Sequence, residues 1–215
     1  MNSAMRFFLL VLLTAGLLQV APAQAPPTLT PFSGDMHFTR SNGNNETGKI
    51  YVGHQRMRIE MEESGGPRGG GVMITDYAKK TTYFLMPQQH MYIEANNNQA
   101  AAMSRRGGTP DIKPLFDANN PCARATDGTT CKDLGTEQVN GRTCEHWRIT
   151  GKDGKSGEAW IDKSLHFPIK GVEPDETYQL TNIKEGEPAA SLFEIPSGYQ
   201  KFDMGQMPGM RPPQQ

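Results

Sequence analysis

The chain has 215 residues, with 22 lysines and arginines against 23 aspartates and glutamates, and a formal net charge of −1. Nucleic-acid-binding proteins usually carry a basic face, and this balance provides none. The sequence also lacks the basic runs that would favour an anionic membrane surface. Its length fits a single domain of ordinary size.

The first residues have the order of a secretory signal peptide. One arginine precedes a mostly apolar run, Phe7–Val20, and small residues follow it. This run is shorter than the roughly 20 residues of a membrane-spanning helix. We therefore predict a cleavable signal peptide over residues 1–23 and a soluble periplasmic protein. Cleavage after Ala23 is preferred to cleavage after Ala25, because the latter would leave Pro26 beside the scissile bond.

The exported part divides into three segments. Residues 24–31 form a predicted linker, and residues 32–203 form one predicted domain. The last residues, 204–215, are rich in Met, Pro, Gly and Gln and show no apolar periodicity. That composition predicts a disordered tail.

Apolar residues recur with a period of two along most of the domain. In RMRIEMEE (56–63), Met57, Ile59 and Met61 fall on one side of an extended chain and charged residues on the other. This pattern is typical of a half-buried strand. Similar runs between turn-forming residues predict ten more strands: Gly34–Arg40, Lys49–His54, Val72–Tyr77, Thr81–Met86, His90–Ala95, Lys132–Val139, Arg142–Thr150, Gly157–Asp162, Pro168–Glu173 and Thr177–Lys184. The sequence therefore predicts a mainly β (α+β) fold built as an antiparallel meander.

Helix is scarce in this sequence. NNNQAAAMSRR (Asn96–Arg106) is the best candidate, because asparagine side chains can cap its start and two glycines follow its end. IKPLFDANN, a little further on, adds a turn or two. Both segments fall in the long excursion between Ala95 and Cys131, which we expect to cover one face or one mouth of the sheet.

The clearest local structure is a hairpin at Asn140-Gly141. This dipeptide favours a type I′ turn, in which both central residues have positive φ. A two-residue loop fixes the register of the two strands. We therefore expect Glu137 opposite Cys144, Leu134 opposite Trp147, and Cys131 opposite Thr150.

This register limits the pairing of the three cysteines. It places Cys131 roughly 20 Å along the strand from Cys144, whereas a disulfide needs Cα atoms within about 7 Å. An oxidising compartment favours bridged cysteines. We predict a Cys122–Cys131 bridge across ARATDGTT, and Cys122–Cys144 remains the alternative.

Two interpretations of Cys144 are open. Arg142, His146 and Arg148 lie on its side of the predicted strand, and neighbouring cations lower the pKa of a thiol and activate it. Alternatively, Cys144 is a small apolar side chain packed in the interior, as free cysteines often are. No CxxC pair is present and no third group is evident to orient the histidine, so we favour the structural interpretation.

No metal or cofactor site is predicted. The five histidines are dispersed and show no zinc-type spacing. Met204, Met207 and Met210 in the tail carry soft thioethers that suit Cu(I), but Met also gathers by chance in tails of low complexity. The expectation is no metal and no cofactor.

Three motifs carry a resemblance: NG-x-x-C-x-x-W at 140–147, EAWI at 158–161 and SLFEIPSGY at 191–199. Together they resemble a bacterial family of exported proteins known only as a domain of unknown function, which is similar to the lipoprotein-localisation (Lol) carriers. The resemblance covers roughly 32–202 and is best from Gly135 onward. It implies a strongly curved antiparallel sheet, a half-barrel, with one or two short helices on its concave side.

The leading functional hypothesis is a non-enzymatic binding module that holds an apolar ligand, a lipid or a lipid-bearing partner on the concave face. A structural or sensory envelope protein that binds a protein partner is the second hypothesis, and an enzyme that uses Cys144 is the third. The predicted ligand-binding residues are Met57, Ile59, Met61, Tyr83, Leu85, Met91, Ile93, Trp147 and Trp160. The alternative for these residues is an ordinary core beneath the Asn96–Arg106 helix.

Overall fold

The computed structural model describes residues 29–62, 70–96, 99–100 and 128–203. The predicted signal peptide and tail lie outside these residues, and so does most of the predicted Asn96–Arg106 helix. Within the described ranges, no helix combines the length and the apolar character that crossing a membrane requires. Leu29, in the predicted linker, donates its backbone N–H to the His54 carbonyl and packs against the core.

Twelve strands form one open, curved sheet. In chain order they are β1 (Phe32–Arg40), β2 (Asn45–Val52), β3 (Arg56–Met61), β4 (Gly71–Asp76), β5 (Thr81–Met86), β6 (Met91–Asn96), β7 (Thr130–Val139), β8 (Arg142–Thr150), β9 (Ser156–Asp162), β10 (Phe167–Val172), β11 (Glu176–Glu185) and β12 (Gln200–Lys201). All neighbours are antiparallel except β12, which runs parallel to β6. The predicted mainly β, curved antiparallel architecture is confirmed.

The sheet consists of two meanders joined at its centre. Strands β1–β6 form one meander and β7–β11 the other, in the order β12-β6-β5-β4-β3-β2-β1-β11-β10-β9-β8-β7. The junction is the pairing of β1 with β11, where Phe38 packs its ring 5.2 Å from that of Tyr178. Buried side chains on both sides of this junction, including Phe32, Ile169 and Leu180, belong to one hydrophobic core.

The chain after β11 returns across the first meander. A 3₁₀ helix, Ala190–Phe193, places Phe193 against Ile74 and Leu85 in a second hydrophobic cluster. Arg58 donates from Nη1 to the Leu192 carbonyl (2.9 Å). The chain then adds β12 to the edge of the sheet, a strand that the sequence did not predict. A second 3₁₀ helix, Pro87–Gln89, links β5 to β6.

The predicted cap of the helix after β6 is present. The Asn96 side chain accepts the Gln99 backbone N–H, and the Gln99 side chain accepts that of Asn96, both at 3.0 Å. This reciprocal arrangement is a capping box, which satisfies two N–H groups at a helix start. Gln99 and Ala100 are helical. The later residues of the predicted helix lie outside the described part of the chain.

The β7–β8 hairpin confirms the predicted turn and corrects part of the register. Asn140 and Gly141 both have positive φ, 51° and 76°, and Glu137 lies opposite Cys144. A bulge between Asp133 and Gly135 then shifts the pairing by one residue.

That bulge places Leu134 outside the pairs, so Asp133 and not Leu134 lies opposite Trp147. Cys131 likewise lies opposite Ile149, where Thr150 was expected. The extra residue is accommodated because Gly135 adopts φ +99° and the Asp133 side chain accepts the Gly135 N–H (2.7 Å). Bulges of this kind use a glycine where the chain needs a positive φ.

Substitution of Gly141 tests the turn. We expect Gly141→Val to lower the free energy of unfolding by more than about 1 kcal/mol, because a β-branched residue is strained at positive φ. Asn140→Asp is the matched control, since aspartate tolerates that conformation. Urea unfolding of both variants measures the difference. A Gly141→Val variant with wild-type stability would contradict the turn.

A buried ion pair secures the turn between β9 and β10. Asp162 is 1% exposed, and its carboxylate accepts the backbone N–H groups of Ser164 and Leu165, each at 2.8 Å. Arg142 donates to the same carboxylate and also to Glu185 (2.7 Å). The arginine therefore ties the β7–β8 hairpin to both β9 and β11.

Candidate ligand-binding face

Large flexible apolar side chains line one face of β1–β6, which we call the methionine face. Its members are Met36, Ile50, Met57, Ile59, Met61, Met73, Phe84, Met86, Met91 and Ile93. The strand register places Ile50, Ile59, Met73, Phe84 and Ile93 side by side in one row. At the usual spacing of strands, this row across five strands is roughly 19 Å long.

A second row beside it alternates methionine with glycine. Met36 pairs with Gly48, Gly48 with Met61, and Met61 with Gly71. Continuing the register of β4 and β5 brings Met86 next to Gly71, and Met86 pairs with Met91.

The two glycines of this row differ in their surroundings. A side chain on Gly48 would meet the Met61 sulfur, the end of Met36 and the Glu60 carbonyl oxygen. Among the described residues, a side chain on Gly71 would meet only the Leu85 carbonyl oxygen, at 3.7 Å. Within the described part of the chain, methionine side chains therefore cover Gly48, whereas no side chain covers Gly71.

Exposure varies across the methionine face. Met57 is fully buried and Met36 is 3% exposed, near the core shared with β1 and β11. The remaining methionines of the face are half-buried: Met61 and Met73, which pack against that core, and Met86 and Met91. Half-buried, unbranched thioethers adapt readily to the shape of whatever covers them.

The structure divides the predicted ligand-binding residues between two faces. Met57, Ile59, Met61, Met91 and Ile93 belong to the methionine face. Trp147 shares this face, through a row in which Ala159, Gly171, Tyr178 and Phe38 connect β8 to β1. Tyr83, Leu85 and Trp160 lie on the opposite face. Sequence reasoning did not include Met73, Phe84 and Met86, which the register adds.

Trp147 offers a polar group on this face. Its indole N–H is buried, and no acceptor for it exists among the described residues. Its neighbour across the strands, Ala159, is small, and Gly171 follows in the same row. Trp147 therefore places a buried hydrogen-bond donor beside the small residues Ala159 and Gly171.

The opposite face of β1–β6 carries two adjoining clefts. One, of about 500 Å³, is polar and is lined by Ser33, Gly34, Asp35, Lys49, Tyr51, Asn182, Ile183 and Lys184. The other, of about 370 Å³, is lined by Lys49, Arg58, Glu60, Met61, Glu62, Val72, Leu85, Pro87 and Tyr199. Lys49 lines both clefts, and we call the two together the Lys49 groove. Lys49 itself is paired with Asp35 (2.8 Å).

His146 lies at the centre of a polar network on the opposite face of β7–β10. Its Nδ1 is 3.0 Å from Glu137 and its Nε2 is 2.9 Å from Glu158. The imidazole stacks on Trp160, with ring centroids 4.2 Å apart. Each ring nitrogen therefore has a carboxylate oxygen within hydrogen-bond distance, and the tautomer decides which nitrogen donates.

Surrounding donors hold the two carboxylates of this network in their charged form. The Trp160 N–H (2.7 Å), followed by His146, lowers the pKa of Glu137. Arg148, followed by His146, lowers the pKa of Glu158. The sequence placed Glu137 opposite Cys144 but gave no indication of Glu158, because Glu158 comes from β9 and only the pairing of β8 with β9 brings it near His146.

Cys144 is a free and fully buried thiol in the hydrophobic core. Burial is the main cause that raises its pKa to about 11, with the Asp162 charge adding to the effect. A raised pKa disfavours the thiolate, which is the nucleophilic form. The structural interpretation of Cys144 is therefore confirmed as to its packing. In β8, Cys144 and His146 are buried, whereas Trp147 is half-buried.

The free thiol also excludes Cys122–Cys144 pairing. Cys122 lies outside the described residues, so the Cys122–Cys131 bridge stays a prediction. Across the described ranges, no three His, Cys, Asp or Glu side chains are grouped so that they could hold a metal ion. The tail methionines that were considered for copper also lie outside the described ranges.

Solved structures share this fold at low sequence identity. An uncharacterised conserved protein from Thermus thermophilus is 11% identical, with a TM-score of 0.53 over 80% of this chain and 90% of that one. The complex structure of Pseudomonas aeruginosa MucA/MucB matches at 18% identity and a TM-score of 0.52, over 86% of this chain and 62% of that one. A LolA superfamily protein from Nitrosomonas europaea is more distant, at 10% identity and a TM-score of 0.33, over 80% and 92%.

No curated protein matches the sequence. A family model does, over residues 32–166, which span β1 to the turn after β9 and include the first two of the three motifs. The third motif lies beyond the matched residues. The match covers more than half of the chain and confirms the predicted resemblance. The chain belongs to the DUF4412 family, described as a domain of unknown function.

Proposed function

We propose that the protein is an exported, non-enzymatic binding module that holds a long apolar chain against its methionine face. The observation that supports this most directly is the registered row from Ile50 to Ile93, which crosses five strands and is half-buried beyond Ile50. The apolar run at the start of the chain supports export to the periplasm.

The geometry favours an extended apolar ligand over a compact polar one. The row extends across five strands, and Gly71, which no side chain of the described residues covers, lies beside it. Each buried methylene contributes about 0.8 kcal/mol before the costs of association. A chain of about a dozen carbons therefore binds usefully without a specific polar contact.

Neighbouring aromatic residues on β5 give a matched test. Phe84 points to the methionine face and Tyr83 to the opposite face, and both are half-buried. Delipidated protein lacking residues 1–23 is titrated with a fluorescent fatty acid and then with dodecanoate as competitor. We expect Phe84→Ser to weaken binding by about tenfold or more, equivalent to about 1.4 kcal/mol. Tyr83→Ser should leave binding unchanged.

Thermal unfolding of each variant separates loss of the ligand from loss of the fold. Met73→Gln is a second variant, similar in size to the original side chain, in case Phe84→Ser unfolds. Absence of saturable binding by the wild type would contradict the proposal. Equal weakening of fatty-acid binding by Tyr83→Ser and Phe84→Ser, with both variants folded, would also contradict the proposal.

A second candidate is a module that binds a protein partner. The Lys49 groove favours it, because its mixture of charged and apolar side chains suits a peptide better than a hydrocarbon. Lys49→Glu, which also breaks the pair with Asp35, would then reduce capture of an envelope protein and leave fatty-acid binding intact.

A further inference from the structure

The methionine face combines accessible and buried thioethers within one small area. Met61, Met73, Met86 and Met91 are half-buried, whereas Met57 is 0% exposed and Met36 is 3% exposed. Strands usually favour β-branched and aromatic residues at such positions. The methionines therefore concentrate a specific chemical group, the thioether sulfur, on the surface of the sheet.

The thioethers around Gly71 are partly exposed. Met61 on β3 pairs directly with Gly71 on β4, and Met73 is two residues along β4. Among the described residues, no side chain lies within 4 Å of the point where a Cβ on Gly71 would stand. Because Met61 and Met73 are half-buried and not fully buried, a small oxidant has access to them.

We propose that the methionine face is a site of methionine oxidation, at which a hypohalous acid converts the thioethers of Met61, Met73, Met86 and Met91 into sulfoxides. Hypochlorous acid transfers its oxygen atom to the sulfur, forming a sulfur–oxygen bond and breaking the oxygen–chlorine bond. Chlorine leaves as chloride with the electron pair, and the proton passes to water. The sulfur is oxidised by two electrons and the chlorine is reduced by two.

Oxidation changes what the face binds. A sulfoxide is polar, so it disrupts an apolar contact surface where the thioether supported it. The oxidised face therefore releases an apolar chain. This consequence rests on the proposed function, whereas the location of the oxidised residues does not.

The experiment maps oxidation within the face. The chain from residue 24, carrying Met204→Leu, Met207→Leu and Met210→Leu to remove the tail thioethers, is treated with increasing hypochlorous acid and quenched with free methionine. Peptide mass spectrometry then measures sulfoxide at each position. Because oxidation follows exposure, we expect the four half-buried methionines to react at about one tenth of the dose that Met36 and Met57 need. If Met36 and Met57 react at the same dose as the four half-buried methionines, the proposed oxidation site is wrong.

A binding measurement tests the consequence. Treated protein should bind the fluorescent fatty acid about tenfold more weakly, or about 1.4 kcal/mol. The combined Met61→Leu, Met73→Leu, Met86→Leu and Met91→Leu variant lacks the four thioethers, so treatment should not change whatever affinity this variant has before treatment. Unchanged affinity of the oxidised wild type would overturn the release of ligand. If untreated protein does not bind, the proposed function fails, and the mapping alone still decides the oxidation site.

Discussion

Asp162→Asn is expected to lower the free energy of unfolding by about 3–5 kcal/mol, because it leaves a partly buried arginine without its charge partner. The carboxylate of Asp162 is buried, and Arg142 and two backbone N–H groups depend on it. Urea unfolding monitored by tryptophan emission measures the loss. The value should fall at the lower end of this range, since Arg142 keeps its contact with Glu185.

Asp35→Asn is the matched control for this substitution. Asp35 also pairs with a cation, Lys49, but its side chain is 30% exposed. An exposed ion pair contributes only about 0–1 kcal/mol. Similar losses for the two variants would contradict the structural role given to Asp162.

Acidification gives an independent check. Burial alone would raise the pKa of Asp162, but the hydrogen bonds from Arg142, Leu165 and Ser164 together bring the pKa below its usual value of 3.8. The charged carboxylate therefore adds stability above pH 3.8, and that stability is lost as the pH falls through the lower pKa of the folded state. The difference in unfolding free energy between wild type and Asp162→Asn should be constant near neutral pH. This difference should shrink only in acid, below pH 3.8.

Gly48→Ala is the second large effect, with an expected loss of about 1–3 kcal/mol from overpacking. Its added methyl group would lie closer than 3.0 Å to the Glu60 carbonyl oxygen, and a backbone atom cannot move aside cheaply. Gly71→Ala is the control in the same row, because its methyl group would have one neighbour among the described residues, at 3.7 Å. Urea unfolding of the two variants should separate them clearly. Equal stability would contradict the close approach of β2 and β3 at Gly48.

The fold was largely predictable because alternation is a local property of each strand. In β3 the pattern of Met57, Ile59 and Met61 identifies both the strand and its two faces. Two features escaped prediction for physical reasons. β12 has only two residues paired with β6, too few to show a period. The bulge at Gly135 depends on a hydrogen bond from the Gly135 N–H to the Asp133 side chain, which a pattern of alternation does not contain. The sequence Asp-Leu-Gly at 133–135 was nevertheless a usable signal for this bulge.

The candidate site was only partly predictable, because alternation does not say which face of one strand joins which face of the next. In β5, Thr82 and Phe84 share one side and Tyr83 and Leu85 the other, and all but the threonine are apolar. Only the pairing of Tyr83 with Ile74 assigns Tyr83 to the face opposite the methionines. The polar network around His146 needed the register of three strands at once.

The position of β1 at the centre of the sheet has a consequence for how the chain folds. Its second neighbour, β11, is far away in sequence, and the His37–Thr181 hydrogen bond joins residues separated by 144 positions. Closing so long a loop is entropically unfavourable, and topologies that depend on distant pairings fold slowly. Both meanders can form from local hairpins, but neither covers its inner edge until β11 reaches β1. The sheet therefore stays in two halves until β11, near the end of the chain, is available to pair with β1.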